Sequence, residues 1–201
     1  MVRKRLSFLK EFLTHPQEVG ALAPSSRRLA EAMIDGFDLA RAQTVVEIGP
    51  GSGAFTQRIL ERAGPETRVV AVELNAAFVD SLRAKFAHLD VFHGSAEQLR
   101  AVLDARAGDG GGDPRADFIV SGLPWAAFEP ALQQRLLDAV VASLKDGGGF
   151  STFAYIGAAW LPRARRFRRL LECHFSTVET SPVVWGNLPP AFAYRCRNSP
   201  G

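Results

Sequence analysis

At 201 residues the chain has the size of one ordinary domain, and its 47% hydrophobic and 22% charged residues exclude both a disordered and a membrane-buried polypeptide. The net charge of +3 is small, yet residues 1–10 hold Arg3, Lys4, Arg5 and Lys10 without an acid, and RARRFRR at 163–169 holds five arginines without one. The positive character therefore belongs to two segments, each suited to an anionic surface of lipid headgroups or nucleic acid.

In chain order, residues 2–13 read first as an amphipathic helix. Val2, Leu6, Leu9 and Leu13 share a face that Phe8 and Phe12 widen, and Arg3, Lys4, Lys10 and Glu11 lie opposite. Such a helix either packs on the domain or dips into anionic lipid. Lys10 and Glu11 interrupt its apolar part and no small-residue cleavage site follows, so a secretory signal is not expected. The reading is a docking helix within residues 1–19, a domain over 20–201, and a cytoplasmic protein held peripherally on the inner leaflet. Gly20, Ala21, Pro24 and Ser25 then lead into the helix SRRLAEAMI, which Ser25 or Ser26 caps.

Beyond residue 44, strand-like and helix-like runs alternate. Strands are expected at TVVEI (44–48), RVVAVEL (68–74), DVFHG (90–94), DFIVS (117–121), GFSTFAY (149–155), HFSTVET (174–180) and AFAYRCR (191–197). Between the first five lie TQRILERAG, AAFVDSLRAKFA, AEQLRAVLDA and PALQQRLLDAVVASLK, with apolar residues three and four apart. That alternation predicts an α/β fold: a mostly parallel seven-stranded sheet, helices on both faces and an antiparallel hairpin at the C-terminal edge. ARAGDGGGDPRA (105–116) reads as a surface loop. Two cysteines and four histidines show no metal-ligand spacing, so no metal is expected.

The strongest motif is VVEIGPGSGAFT (45–56). A hydrophobic strand carrying Glu47 runs into Gly49, Gly51 and Gly53, where the backbone must turn tightly and admit a ligand. Gly49, Gly51 and Ala54 also satisfy a loose dinucleotide fingerprint. The acid two residues before the first glycine resembles class I methyltransferases, with their Rossmann-like fold, in which that acid faces the methionine end of S-adenosylmethionine. Glu73 ends the second strand 22 residues beyond Gly51, close to the spacing of a ribose-binding acid, with Leu74 beside it. FHGSAEQL follows the third strand where such enzymes cover the adenine; Ser95 stands in place of their Asp, and Ala96 offers its backbone.

The fourth strand ends in Ser121, Gly122, Leu123, Pro124 and Trp125. Enzymes that methylate adenine amines carry Asn at the position of Gly122, so this strand end departs from them. The combination of GALAPSSRRLA, VVEIGPGSGAFT, VVAVELN, SGLPW, STFAY and VVWGNLPPAFAYR over residues 20–197 resembles the bacterial phospholipid N-methyltransferases.

That resemblance implies S-adenosylmethionine as cofactor, a lipid headgroup on an anionic membrane as partner, and methylation of phosphatidylethanolamine towards phosphatidylcholine. It also implies that the loop of Gly20, Ala21 and Ser25, unless it is a simple helix cap, closes over the cofactor, and that Ser121, Gly122 and Leu123 contact it. Ornithine lipid is the nearest alternative acceptor. An RNA adenine dimethyltransferase, with nucleic acid as partner, is a weaker reading, and a non-catalytic cofactor-binding protein weaker still. A monomer is expected. Trp125, Tyr155 and Trp185 are candidate aromatic faces for a methylated ammonium, and Arg163 and Arg166 candidates for lipid phosphate. Tyr155, Asn187 and His15 are the candidates for orienting or deprotonating the amine, and Gly122 is expected to leave room for the headgroup.

Overall fold

The structure, a computed structural model, describes residues 26–107 and 113–199. The expected helix over 2–13 and the candidates His15, Gly20, Ala21 and Ser25 lie outside the described residues. Seven strands, β1 (Thr44–Ile48), β2 (Arg68–Glu73), β3 (Asp90–His93), β4 (Ala116–Ser121), β5 (Leu144–Tyr155), β6 (Thr177–Thr180) and β7 (Ala191–Arg197), form one sheet in the order β3-β2-β1-β4-β5-β7-β6. The first five are parallel, and β7 is antiparallel to both β5 and β6. Helices α1 (Arg27–Ile34), α2 (Ala54–Arg62), α3 (Ala76–Lys85), α4 (Leu99–Asp104), α5 (Pro130–Ala142) and α6 (Pro162–His174) complete the Rossmann-like α/β fold that the alternating sequence predicts.

The period of two along each strand sorts the core into two layers. Val46 and Ile48 of β1 join Ile119, Trp125, Leu137 and Phe150 on one face, while Val45 joins Leu29, Ile59, Val79 and Val120 on the other. β1 is buried along its whole length because helices cover both sides. From β1 the chain steps outward to β2 and β3, then returns to the other side of β1 for β4 and β5. Such a switch point opens a crevice at the C-terminal ends of β1 and β4.

Two boundaries differ from the sequence reading. The helix expected to run through Lys145 ends at Ala142, and β5 begins at Leu144 and turns at Gly147 (φ 69°) before it reaches the expected stretch. Residues 163–174 are helix rather than a basic patch followed by strand. Pro162 starts α6, Ala164, Phe167 and Leu171 form its buried stripe, and the five arginines line its outer side.

Candidate functional site

β1, β2 and β4 end at one edge of the sheet, where glycines take over their hydrogen bonds. Gly49 donates to the Val72 carbonyl, Gly94 to Glu73 and Gly122 to Ile48, each at 2.9 Å. Gly49, Gly51 and Gly53 all have positive φ, at 68°, 54° and 82°, a region that side chains rarely tolerate. Their free sides differ. A Cβ on Gly49 would lie 2.5 Å from Leu123 Cδ2 and one on Gly53 would meet the Phe86 ring, whereas one on Gly51 would meet nothing within 4 Å. Gly51 is therefore where another molecule can lie against the turn.

Glu73 holds this turn from the next strand. Its Oε2 accepts from Gly51 N at 3.0 Å and its Oε1 from Asn75 N at 2.8 Å, with the side chain almost wholly buried. A carboxylate has about four acceptor sites, so among the described residues two stay available after these bonds. Leu74, beside it, is exposed, and its carbonyl lies 3.2 Å from His93 Nε2.

Glu47 is fully buried, on the same face of β1 as Val45. Thr56 Oγ1 of α2 donates to its Oε2 at 2.5 Å, while among the described residues its Oε1 has no hydrogen-bond partner. Burial, with a smaller contribution from the Glu73 charge, pushes its carboxyl up to about 8 despite the Thr56 bond. A buried oxygen with no partner among the described residues can take a further donor, and a cation there would return the group to its ionised form.

At the end of β3, Ser95 accepts from Glu97 N at 3.2 Å, and Ser95 N donates to Gln98 Oε1 at 3.1 Å, a capping box for the turn Ala96–Gln98. Glu97 is taken up by Arg135, whose Nε lies 2.6 Å from its Oε1. This turn thus presents the backbone of Ala96 rather than a free acid.

At the end of β4 the structure corrects three expectations. A Cβ on Gly122 would lie 2.3 Å from the Gly49 carbonyl oxygen, so Gly122 gives no room to a headgroup; it lets the β4 turn press against the glycine turn. Ser121 is buried and its Oγ accepts from Trp125 Nε1 at 2.9 Å and from Leu123 N at 3.3 Å, so its hydroxyl serves the turn itself. Trp125, 1% exposed, is no open cation–π wall. It stacks on Phe167 of α6 at 4.7 Å and stands edge-on to Phe150 at 5.9 Å, because a large ring with one satisfied N–H fills the core below the turn.

Asn187 is also corrected. Its Oδ1 accepts from Ser26 N at 2.8 Å and its Nδ2 donates to the Pro189 carbonyl at 2.7 Å, so both ends of the amide are engaged in tying the loop before β7 to the cap of α1. Tyr155 lies beyond the stretch of β5 that pairs with β4. It ends β5, half-buried and edge-on to Phe153 at 5.2 Å, with burial pushing its phenol up to about 12. Trp185 is 71% exposed. Arg163 pairs with Glu129 at 2.8 Å, and Arg166 is exposed on the outer side of α6. Among the described residues no His, Cys, Asp and Glu cluster could hold a metal, and no helix is long and apolar enough to cross a membrane.

The Ribosomal RNA adenine dimethylase family matches residues 25–98, which hold β1 to β3 and the glycine turn but nothing of β4 or beyond. The ribosomal RNA small subunit methyltransferase A of Burkholderia lata is 36% identical over 103 residues, 51% of this chain and 36% of that protein. Among solved structures, the O-methyltransferase TomG of Streptomyces achromogenes, in complex with S-adenosylmethionine, shares the fold with a TM-score of 0.68 at 16% identity, over 94% of this chain and 87% of that one. The N-methyltransferase NodS of Bradyrhizobium japonicum, in complex with S-adenosylhomocysteine, gives 0.63 at 16% identity, over 85% and 84%. An ornithine lipid N-methyltransferase of Singulisphaera acidiphila is 34% identical over 193 residues, 94% of each chain.

The chain belongs to the family of that enzyme. It is an S-adenosylmethionine-dependent methyltransferase, and its residues fit the cofactor at three points. The open Oε1 of Glu47 suits the α-ammonium, the free side of Gly51 suits the close approach of the methionine and ribose, and the remaining acceptor sites of Glu73 suit the ribose hydroxyls. Three partners of this methyltransferase site were missed in the sequence. Thr56 lies nine residues after Glu47 at a helical position that an apolar pattern passes over. Asn75 in VELN carries the cap signal for α3, whose Ala77 N donates to its Oδ1 at 2.9 Å. The Gly122–Gly49 contact has no sequence signal beyond two glycines at strand ends.

Proposed function

We propose that the methyltransferase carries a methyl group from S-adenosylmethionine to the amino group of a membrane lipid, with ornithine lipid as the first acceptor and phosphatidylethanolamine as the second. The kinship over 94% of both chains supports this reading, and it is the reason for naming ornithine lipid before the phosphatidylethanolamine favoured by sequence resemblance. Bound S-adenosylmethionine supplies a sulfonium methyl, an electrophile that an amine lone pair takes up directly with release of a neutral thioether. What the protein must add is mostly position. Glu47 and Glu73 would hold the methionine ammonium and the ribose of the cofactor, and the interlocked turns at Gly49 and Gly122 would form the floor beneath it. Tyr155, with its hydroxyl kept protonated, can accept an N–H of the incoming amine at the mouth of the crevice.

The ribosomal RNA reading is supported by the match over residues 25–98. That segment is the cofactor half, shared by enzymes with different acceptors. In the acceptor half, Gly122 has no space for the Asn that adenine-modifying relatives carry. The test is incubation with methyl-labelled cofactor and, separately, detergent micelles of ornithine lipid, micelles of phosphatidylethanolamine, and ribosomal RNA. Label in either lipid supports the reading; label in RNA with none in lipid overturns it.

A further inference from the structure

Among the described residues five large apolar side chains stand exposed: Leu74, Trp160, Leu161, Trp185 and Leu188. Leu74 follows β2 at the crevice, and the other four occupy two loops at the same end of the sheet. Trp160 and Leu161 follow β5; Trp185 and Leu188 precede β7. Tyr155 pairs with Ala191, and Ile156 N donates to the Pro190 carbonyl at 3.0 Å, so the two loops leave the sheet side by side.

Trp160 is 74% exposed and Leu188 72%. Leu161 is the N-cap of α6, a position where a polar side chain would stabilise the helix. A stability rule broken by an exposed leucine, next to an exposed tryptophan, points to use of that surface. Arg163 beside it is paired with Glu129, and the charges that follow next on α6 are positive. Arg165 lies 5.9 Å from the Trp160 ring, and Arg166 makes no ion pair among the described residues.

We propose that the loops 156–161 and 185–190 form a docking edge for an anionic bilayer. Trp160, Leu161, Trp185 and Leu188 enter the boundary between headgroups and acyl chains, and Arg165 and Arg166 meet lipid phosphates. Tryptophan suits that depth because its ring is apolar and its N–H polar. The edge adjoins the mouth of the glycine-turn crevice, so a docked enzyme meets its acceptor without drawing the lipid out of the membrane. The inference rests on the reading of the acceptor as a membrane lipid.

The test uses the full chain and vesicles of phosphatidylglycerol and phosphatidylcholine, which contain no amine acceptor. Tryptophan emission is expected to shift to the blue and to be quenched by bromine-labelled acyl chains. The double variant Leu161→Ser, Leu188→Ser is expected to bind these vesicles about tenfold more weakly while its affinity for S-adenosylmethionine stays unchanged. Unquenched emission on the labelled vesicles overturns the docking edge, as does wild-type vesicle binding by a variant that retains cofactor affinity. Should the variant lose cofactor affinity through misfolding, the quenching of the wild-type chain decides. Because the vesicles hold no acceptor, failure here leaves methyl transfer to micellar lipid standing, and docking without any lipid methylation refutes the acceptor reading alone.

Discussion

Gly122 and Gly49 meet backbone to backbone: a Cβ on Gly122 would lie 2.3 Å from the Gly49 carbonyl oxygen, and one on Gly49 would lie 2.5 Å from Leu123 Cδ2. The end of β4 and the glycine turn after β1 are thereby one interlocked surface. A methyl group added at Gly122 must move the glycine turn, because the atom in its way is backbone, whereas one added at Gly49 would displace the end of the Leu123 side chain and strain a positive φ.

Gly122→Ala should therefore displace the glycine turn. We expect a stability loss of about 1–3 kcal/mol, the usual cost of overpacking, together with at least a tenfold weaker affinity for S-adenosylmethionine. Gly122→Asn, which restores the residue of adenine-modifying enzymes, should be worse on both counts and should gain no activity on RNA. Denaturant unfolding and cofactor titration measure the two effects.

Glu47 sets a pH dependence. Its folded value of about 8 stands above its ordinary 4.5, so between these values the folded cofactor-free chain holds a proton that the unfolded chain has released. Stability of the cofactor-free protein should accordingly fall as pH rises from about 5 to 8, and Glu47→Gln should flatten that slope. The cofactor ammonium favours the ionised carboxylate, so binding at pH 7 should expel a proton. Calorimetry in two buffers of different ionisation heat measures the release, and Glu47→Gln should abolish it.

Glu73→Ala removes the acceptor of the Gly51 and Asn75 amides together with the acceptor sites that suit the ribose hydroxyls. Hydrogen bonds to a charged group contribute about 1.5–3 kcal/mol each, so cofactor affinity should fall roughly ten- to a hundredfold. Thermal unfolding should remain cooperative.

Trp125→Phe tests whether this ring belongs to the core or to the acceptor. It keeps most of the stacking on Phe167 and removes the N–H donated to Ser121. The expectation is a loss of about 1–3 kcal/mol in stability with no change in KM for lipid. A KM that rises with each methyl already on the headgroup would return Trp125 to the acceptor site.

Legibility in the sequence followed the range of each interaction. The seven strands and the edge hairpin were readable because each is a short local run of strand-forming residues, continuously apolar where helices cover both faces, as in β1 and β2. α6 was hidden by its arginines: five charges outweigh Ala164, Phe167 and Leu171 in composition, though the spacing of those three is helical. The cofactor turn was readable because Glu47, the three glycines and Glu73 follow one another at fixed intervals. The roles of Trp125 and Asn187 were not, since what occupies them are residues 42 and 161 positions away, Phe167 and Ser26, brought close only by the tertiary fold.

The most direct measurement is mass spectrometry of the acceptors after one reaction containing S-adenosylmethionine, ornithine lipid, phosphatidylethanolamine and ribosomal RNA together. The account predicts methyl groups on lipid amines, with ornithine lipid methylated ahead of phosphatidylethanolamine and RNA unmodified. Methylated adenine in the RNA beside unmodified lipids would contradict it.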